Sequence, residues 1–149
     1  MYKHILVPTD GSKLSLKAAK EAAKLAQKLK ARITAIYVIE PYMPSSTGET
    51  AFLIRQAGLE ESYAKAMKEH AAAVLGKVER AASAAKVRCD GLSVSSFRPW
   101  EAIIKSARAK KCDLIVMASH GRRGLAGLLL GSETHKVLTH SKTPVLVCR

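Results

Sequence analysis

Short apolar runs alternate along the chain with longer stretches in which apolar residues recur every three or four positions. The short runs are rich in β-branched residues and predict strands, whereas the longer period predicts helices with one buried face. Leu114–Met117 is apolar throughout, as expected for a strand buried on both sides of a parallel sheet. The five predicted strands are His4–Pro8, Arg32–Ile39, Val87–Ser95, Leu114–Met117 and Val145–Cys148.

Four stretches between or after these strands have helical periodicity. In the first, Ala18, Ala22 and Leu25 fall on one face, which predicts an amphipathic helix. In the third, Pro99 suits the first helical position, because the N–H that proline lacks has no partner there. The predicted helices are about Ser12–Lys30, about Glu61–Ala85, a helix that begins at Pro99, and about Ser132–Thr139.

The stretch from Glu40 to about Glu60 interrupts this alternation with prolines, glycines and serines. Its length is unusual for a connection inside a domain. The sequence leaves open whether it is a mobile lid or simply a variable loop. It allows a helical turn around Thr50–Gln56.

Five strands that alternate with four helices predict one α/β domain over residues 1–149, with an open, Rossmann-like parallel sheet. If the first and fourth strands are neighbours, the strand order is 3-2-1-4-5. The winding direction then reverses between these two strands, and open α/β sheets bind ligands at such a reversal. The segment Pro8-Thr9-Asp10-Gly11 would face the residues after the fourth strand across one crevice.

A glycine-rich, basic segment follows the fourth strand. It contains Gly121, Arg122, Arg123, Gly124 and Gly127, and it ends with Gly131-Ser132 at the start of the last predicted helix. Glycines let backbone N–H groups approach an anion, and a helix N-terminus supplies further N–H groups without partners. The order of strand, glycine loop and helix therefore predicts a phosphate-binding turn.

Composition and charge narrow the classes of protein to which this chain could belong. The 149 residues carry a formal net charge of +13, but Lys17, Lys20, Lys24 and Lys28 recur at helical spacing, which indicates a solvated face. A nucleic-acid surface stays a weaker alternative, because two phenylalanines and one tryptophan offer little for base stacking. With no membrane-length apolar run and no secretory leader after Met1, we expect a cytoplasmic protein whose three cysteines are reduced.

Several sharper motifs are absent. No glycine precedes the Lys-Ser/Thr pair of a Walker A loop, and neither G-x-G-x-x-G nor G-x-S-x-G is present. His135 and His140 lie about 140° apart around a helix, which argues against a shared metal ion. Asp10 and Ser132 have a simpler alternative role as helix caps.

One resemblance covers essentially the whole chain. Ser119-His120-Gly121, followed after nine residues by Gly131-Ser132, resembles the nucleotide-binding motif of the universal stress protein family. Members that bind ATP carry Gly, two residues, Gly, nine residues, and then Gly with Ser or Thr. The segments Ile5–Ser12 and Pro144–Val147 are similar to the family as well.

The resemblance implies an adenine nucleotide alpha hydrolase-like fold that binds ATP, or AMP or ADP, with Mg²⁺ as an accompanying ion, and a homodimer paired through Val145–Cys148. Arg122, with Arg123, would either bind the outer phosphates or only solvate the loop. By matching positions, the adenine and ribose end would be formed by Pro8, Thr9 and Asp10, and adenine would be held by the backbone of Val38. The ribose would be flanked by Met117 and Ala118. The phosphates would be received by Gly121, Gly131, Ser132 and the amide of Glu133.

Two positions depart from the family pattern. Ala118 replaces the first glycine of the motif, and a methyl group there would crowd the ribose if the position needs a glycine conformation. Phe97 replaces the family's glycine two residues before Pro99, at the end of the third strand.

We therefore expect a stress-response module that binds an adenine nucleotide and is not an enzyme, beyond slow hydrolysis of bound ATP. Two alternatives stay open. One is a dimeric interaction protein of the same fold that binds no nucleotide, which Ala118 favours. The other is a basic nucleic-acid-binding protein.

Overall fold

Five parallel strands form one sheet in this computed structural model, which describes residues 1–43, 48–121 and 130–149. The strands are β1 (His4–Pro8), β2 (Arg32–Ile39), β3 (Cys89–Ser95), β4 (Leu114–Ala118) and β5 (Val145–Cys148). Their order across the sheet is β3-β2-β1-β4-β5, so the predicted order and the reversal between β1 and β4 are confirmed.

Five helices accompany the strands in the described part of the chain. They are α1 (Lys13–Leu29), α2 (Glu49–Gln56), α3 (Leu59–Ala84), α4 (Pro99–Ala109) and α5 (Ser132–His140). The prediction of four helices is therefore wrong by one. The segment over which the sequence allowed one turn is a complete helix, α2. Its weak periodicity has a physical reason, since none of its residues is buried.

The strands place alternate side chains on two faces of the sheet, and each face is covered by different helices. One cluster joins β1, β2 and β4 to α1 and α3 through residues such as Ile5, Ile33 and Val116. The other joins Leu6 and Ile115 to α4 and α5. Both faces of the central strands are therefore buried, which explains why β4 is apolar throughout.

Local sequence signals determine the ends of several elements. The hydroxyl of Ser12 caps α1 by accepting a hydrogen bond from the N–H of Ser15 at 3.1 Å. Gly58, with φ of 69°, precedes α3, which begins two residues earlier than predicted. Lys86 has φ of 57°, so the chain turns there and β3 begins at Cys89, later than the predicted Val87.

The four lysines predicted to form a solvated face of α1 are all exposed. The three cysteines are free; Cys112 is buried, and Cys89 and Cys148 are half-buried. Burial raises the pKa of Cys89 and of Cys112 to about 11, so both thiols are protonated at neutral pH. No helix in the described ranges is long and apolar enough to cross a membrane.

Candidate functional site

The sheet splits between β1 and β4 at its carboxyl edge. The ladder between them has two residue pairs, of which Leu6–Ile115 is the last. Beyond it, β1 continues to Pro8 beside β2, and β4 continues to Ala118 beside β5. The strands therefore separate at the reversal of winding, and the crevice between their ends is the position at which open α/β sheets bind ligands.

The turn after β1 forms one wall of this crevice. The N–H of Gly11 donates to the Thr9 hydroxyl at 3.2 Å, and the N–H of Ser12 donates to Oδ1 of Asp10 at 2.9 Å. Thr9 is itself buried, with its hydroxyl 3.1 Å from that of Ser15. Because Ser12 is the N-cap of α1, the capping alternative for Asp10 does not hold, and its carboxylate is oriented by the turn.

Val38 lies where β2 extends beyond β1. Even-numbered residues of β2 direct their backbone groups toward β1, as the hydrogen bonds from Arg32 N to Lys3 O and from Thr9 N to Ile36 O show. Val38 continues this period, and it is two residues beyond Ile36, the residue that pairs with the last residue of β1. Its backbone N–H and C=O therefore face the crevice side.

Met117 and Ala118 are the last residues of β4 and form the opposite wall. Both are buried, and they pair with Val147 and Cys148 of β5. Ala118 is an ordinary strand residue and is not among the positive-φ residues, so the position does not require a glycine conformation. Phe97 is not among the positive-φ residues either, so its position also does not require a glycine conformation, and its side chain is exposed between β3 and α4.

Asp10 and Gly121 meet across the crevice, as predicted from the strand order. A Cβ atom placed on Gly121 would lie 3.3 Å from Cγ of Asp10 and closer still to Oδ2. Glycine at 121 therefore makes room for the carboxylate. Arg122, Arg123, Gly124 and Gly127, which the sequence placed in the same loop, lie outside the described residues.

Gly131 brings the N-terminus of α5 to the same crevice. Its N–H donates to the carbonyl of Ser119 at 2.7 Å, and a Cβ atom on it would lie 3.1 Å from Cα of His120. Gly131 is the N-cap residue and provides no side-chain acceptor, so the first N–H groups of α5 are not capped by a side chain within the described ranges. Ser132, the first helical residue, is exposed.

Glu133 has a structural role that the sequence did not indicate. Its Oε2 accepts a hydrogen bond from the backbone N–H of Trp100 at 2.9 Å, and its Oε1 lies 3.2 Å from Nζ of Lys136. Pro99 has no N–H, so Trp100 provides the first N–H of α4. The carboxylate of Glu133 therefore caps α4, while its own backbone belongs to the first turn of α5.

Two residues that were not predicted as site residues, Thr134 and Ser119, hold the β4 wall in place. The buried hydroxyl of Thr134 donates to the carbonyl of Ala118 at 2.9 Å, and the N–H of Ser119 donates to the carbonyl of Cys148 at 2.8 Å. A signal for Thr134 was available, since it lies three residues before buried Val137 on the same helix face. Ser119 is buried and follows the end of β4, with its Oγ 3.2 Å from Nδ1 of His120.

The histidines of α5 are exposed, as expected for surface residues. The ring of His140 stacks against the indole of Trp100, with 4.8 Å between ring centroids. The described residues contain no group of three His, Cys, Asp or Glu side chains arranged for a metal ion.

The chain is similar over its full length to known proteins. The profile of the universal stress protein family matches residues 1–149. Universal stress protein MJ0531 of Methanocaldococcus jannaschii is 34% identical to this chain, over 100% of the chain and 83% of the relative.

Solved structures agree with this similarity. The structure of protein MJ0577 superposes with a TM-score of 0.80 at 29% identity, covering 99% of this chain and 95% of that one. A universal stress protein solved in complex with cAMP superposes with a TM-score of 0.69 at 27% identity, covering 99% of this chain and 97% of that one. The chain belongs to the universal stress protein family.

Proposed function

We propose that this protein binds an adenine nucleotide in the crevice between the ends of β1 and β4, as a stress-response module. The observation that carries the proposal is the convergence of Asp10, Gly121 and Gly131 at the point where the two strands separate. The cAMP complex of a relative with 27% identity supports the choice of an adenine nucleotide.

The adenine and ribose would occupy the part of the crevice nearest the sheet. The free edge of β2 at Val38 offers a backbone donor and acceptor, which suit the hydrogen-bonding edge of adenine. Pro8, Thr9 and Asp10 would contact the ribose from one side, with the Asp10 carboxylate as acceptor for a ribose hydroxyl. Met117 and Ala118 would flank it from the other side, and the strand conformation of Ala118 favours this placement.

The phosphates would lie at the N-terminus of α5. Gly121 allows a close backbone approach, Gly131 at the N-cap has no side chain of its own to cap the first N–H groups of the helix, and Ser132 adds a hydroxyl. Negative charge at a helix N-terminus is favoured by about 0.3–1 kcal/mol at an exposed site. The Glu133 amide belongs to the same turn, and Arg122 of the glycine loop would provide a charged donor to the outer phosphates.

Binding, and not turnover, is the role we propose. ATP is the expected ligand, with AMP and ADP as alternatives and Mg²⁺ as an accompanying ion. Phosphoryl transfer needs a positioned water and charge stabilisation at the γ-phosphate, whereas the groups named above bind and orient a nucleotide. A nucleotide would then change the surface that the protein presents to its partners.

A homodimer paired through β5 is part of the same proposal. β5 is an edge strand of the sheet, and Leu146 on it is 45% exposed. An edge strand with an exposed apolar side chain is stabilised by a partner that covers it. Sedimentation analysis of Leu146→Lys should show a smaller species than the wild-type protein if β5 forms the contact.

Calorimetric titration with ATP, ADP, AMP and cAMP, with and without Mg²⁺, tests nucleotide binding. The informative variant is Ser132→Glu, which places a negative charge where the phosphates are expected. Loss of one charge-assisted interaction and added repulsion should weaken ATP binding by at least about 10-fold. A bulky residue at Gly131 is a poorer choice, because it would collide with the backbone of His120.

Ser62→Glu is the matched control, since Ser62 is an exposed serine in the first turn of α3, outside the crevice. It should bind ATP like the wild-type protein. Equal ATP affinity of Ser132→Glu and Ser62→Glu would contradict the phosphate placement. No heat of binding for any of the four nucleotides would overturn nucleotide binding and favour the interaction protein of the same fold.

A further inference from the structure

The segments that lead into the five strands are strongly basic. They are residues 1–3, 30–32, 85–88, 110–113 and 141–144, at the end of the sheet opposite the crevice, and we call them the amino edge. They contain six lysines, two arginines and one acidic residue in 18 positions, whereas the other 131 positions have 17 basic and 11 acidic residues. More than half of the net charge of +13 therefore lies at this one edge.

Hydrogen bonds across the sheet place these segments side by side. The N–H of Ile33 donates to the carbonyl of Arg88 at 2.8 Å, and the N–H of Arg32 donates to the carbonyl of Lys3 at 3.0 Å. The segments before β4 and β5 continue the series in the order of the strands. Because neighbouring strands lie about 4.8 Å apart, the five segments form a basic row about 19 Å long.

The cations of the amino edge are mostly not neutralised by neighbouring acids. All eight basic side chains are exposed. Within the described ranges only Arg88 among them forms an ion pair, with its Nε 3.7 Å from Oδ2 of Asp90. The one acid of the amino edge, Asp113, accepts hydrogen bonds from the backbone N–H groups of Lys3 and His4. The positive charge is therefore available to an anion outside the protein.

Helix ends explain only part of this charge. Lys30, Lys86 and Lys111 follow α1, α3 and α4, where the helix dipole favours a cation. In the described part of the chain they are also the only residues besides glycine with positive φ, at a type of position that glycine usually occupies. Lys3 precedes β1 and Arg32 is the first residue of β2, so no helix end accounts for their charge.

The amino edge offers cations and little else. Of the large apolar side chains that are exposed in the described ranges, only Met1 lies here, and the one aromatic residue, Tyr2, packs against the core. Protein interfaces and membrane-bound surfaces also use exposed apolar side chains, and binding of single-stranded nucleic acid also uses aromatic stacking. The backbone of a duplex needs only an array of cations, because it carries one negative charge per about 1.7 Å of its axis.

We propose that the amino edge binds the phosphate backbone of double-stranded nucleic acid without reading its sequence. A basic row about 19 Å long can follow several phosphates along a duplex. The shortage of aromatic residues argues against base stacking, but contacts to phosphates do not require them. The crevice lies at the carboxyl edge of the sheet, so this surface is separate from the proposed nucleotide site and does not depend on it.

The salt dependence of duplex binding tests the proposal. Fluorescence anisotropy of a labelled DNA duplex, without free nucleotide, measures the dissociation constant. If each of the five segments contacts about one phosphate, the logarithm of the association constant should fall with the logarithm of salt concentration at a slope of about −4.5, so that affinity drops about 500-fold between about 25 and about 100 mM salt. A strong preference for one of two duplexes of unrelated sequence would contradict backbone binding.

Charge removal tests the position of the surface. Lys3→Gln combined with Arg32→Gln should weaken duplex binding at least about 10-fold at low salt and reduce the slope by about 1.8, because two phosphate contacts are lost. Lys17→Gln combined with Lys20→Gln is the matched control, since it lowers the net charge by the same amount on the exposed face of α1. The control should bind the duplex with the slope of the wild-type protein.

A second pair, Lys111→Gln with Lys142→Gln beside β4 and β5, should have an effect similar to that of the first pair, and it decides the matter if the first pair disturbs folding. Absence of duplex binding by the wild-type protein at about 25 mM salt overturns the proposal. Equal losses in the amino-edge and control variants overturn the assignment to this edge. Binding to vesicles of phosphatidylserine and phosphatidylcholine, without binding to the duplex, overturns the choice of nucleic acid in favour of an anionic membrane.

Discussion

The carboxylate of Glu133 on α5 accepts a hydrogen bond from the backbone N–H of Trp100 at the start of α4, at 2.9 Å. Glu133 thus connects the first turns of two helices, one of which is the proposed phosphate site. Trp100 is the only tryptophan of the chain, so its fluorescence reports on this junction.

Removal of this cap should destabilise the protein. Glu133→Ala leaves the Trp100 N–H without its acceptor, and loss of a helix cap costs about 1 kcal/mol in the free energy of unfolding. Urea denaturation followed by Trp100 fluorescence measures the change. Glu21→Ala is the control, because Glu21 makes an exposed pair with Lys24 of the same spacing as Glu133–Lys136 but caps no helix, and it should change little.

Gly131→Ala should destabilise the fold, whereas Gly76→Ala should not. The new methyl group at 131 would lie 3.1 Å from Cα and 3.2 Å from Cβ of His120, and backbone there cannot easily give way; overpacking of this kind costs about 1–3 kcal/mol. In α3, a methyl group on Gly76 meets only the end of the flexible Arg80 side chain, so the helix should gain about 0.5–1 kcal/mol. Thermal unfolding of both variants gives the comparison, and equal shifts would contradict it.

Gly121→Ala should act through Asp10. The added methyl group would displace the Asp10 carboxylate from its place beside Gly121. In the Asp10→Ala background the same change should cost less, with a coupling of about 0.5–3 kcal/mol between neighbours. A double-mutant cycle on the free energy of unfolding measures the coupling, and strictly additive effects would show that the two residues do not contact in solution.

His4 should make the protein less stable as the pH falls below 6.5. Its ring is buried and its Nε2 lies 2.8 Å from the Thr34 hydroxyl. Burial and then the charge of Arg32 lower the pKa of His4 below 6.5, outweighing Asp113, Asp90 and the backbone of Lys110, which raise it. The unfolded chain therefore binds more protons just below pH 6.5, and stability falls with pH in that range.

Urea unfolding at pH 7.5 and 5.5 checks this prediction. His4→Gln should lose less stability than the wild-type protein between the two values. Asp113 does not affect this comparison. Burial raises the pKa of its carboxyl, but hydrogen bonds from the N–H groups of His4 and Lys3 outweigh burial and lower that pKa below 3.8. The stability that the ionised Asp113 contributes is therefore lost only at more acidic pH. An equal loss in both proteins would rule out His4 as the cause.

The sequence by itself determined the strands and the main helices. The bounds of β1, β2 and β5 follow from β-branched apolar runs, and the bounds of α1 follow from its buried alanines and the Ser12 cap. These signals are local, since the type of each residue depends on whether that position is buried or lies in a turn. The strand order was also predicted, because the order 3-2-1-4-5 brings two polar, glycine-containing segments together where the winding reverses.

The tertiary structure decided what depends on contacts between distant residues. α2 has an exposed face that no core imposes, so its periodicity is weak and its extent was not predictable from sequence. Ala118 looked like a substitution for an obligatory glycine, yet its pairing with Cys148 shows an ordinary strand residue. Glu133 reaches α4 only because the fold brings residues 100 and 133 together. The local pattern of apolar and polar residues indicates which positions are buried. The features above depend instead on which elements become neighbours in the folded protein.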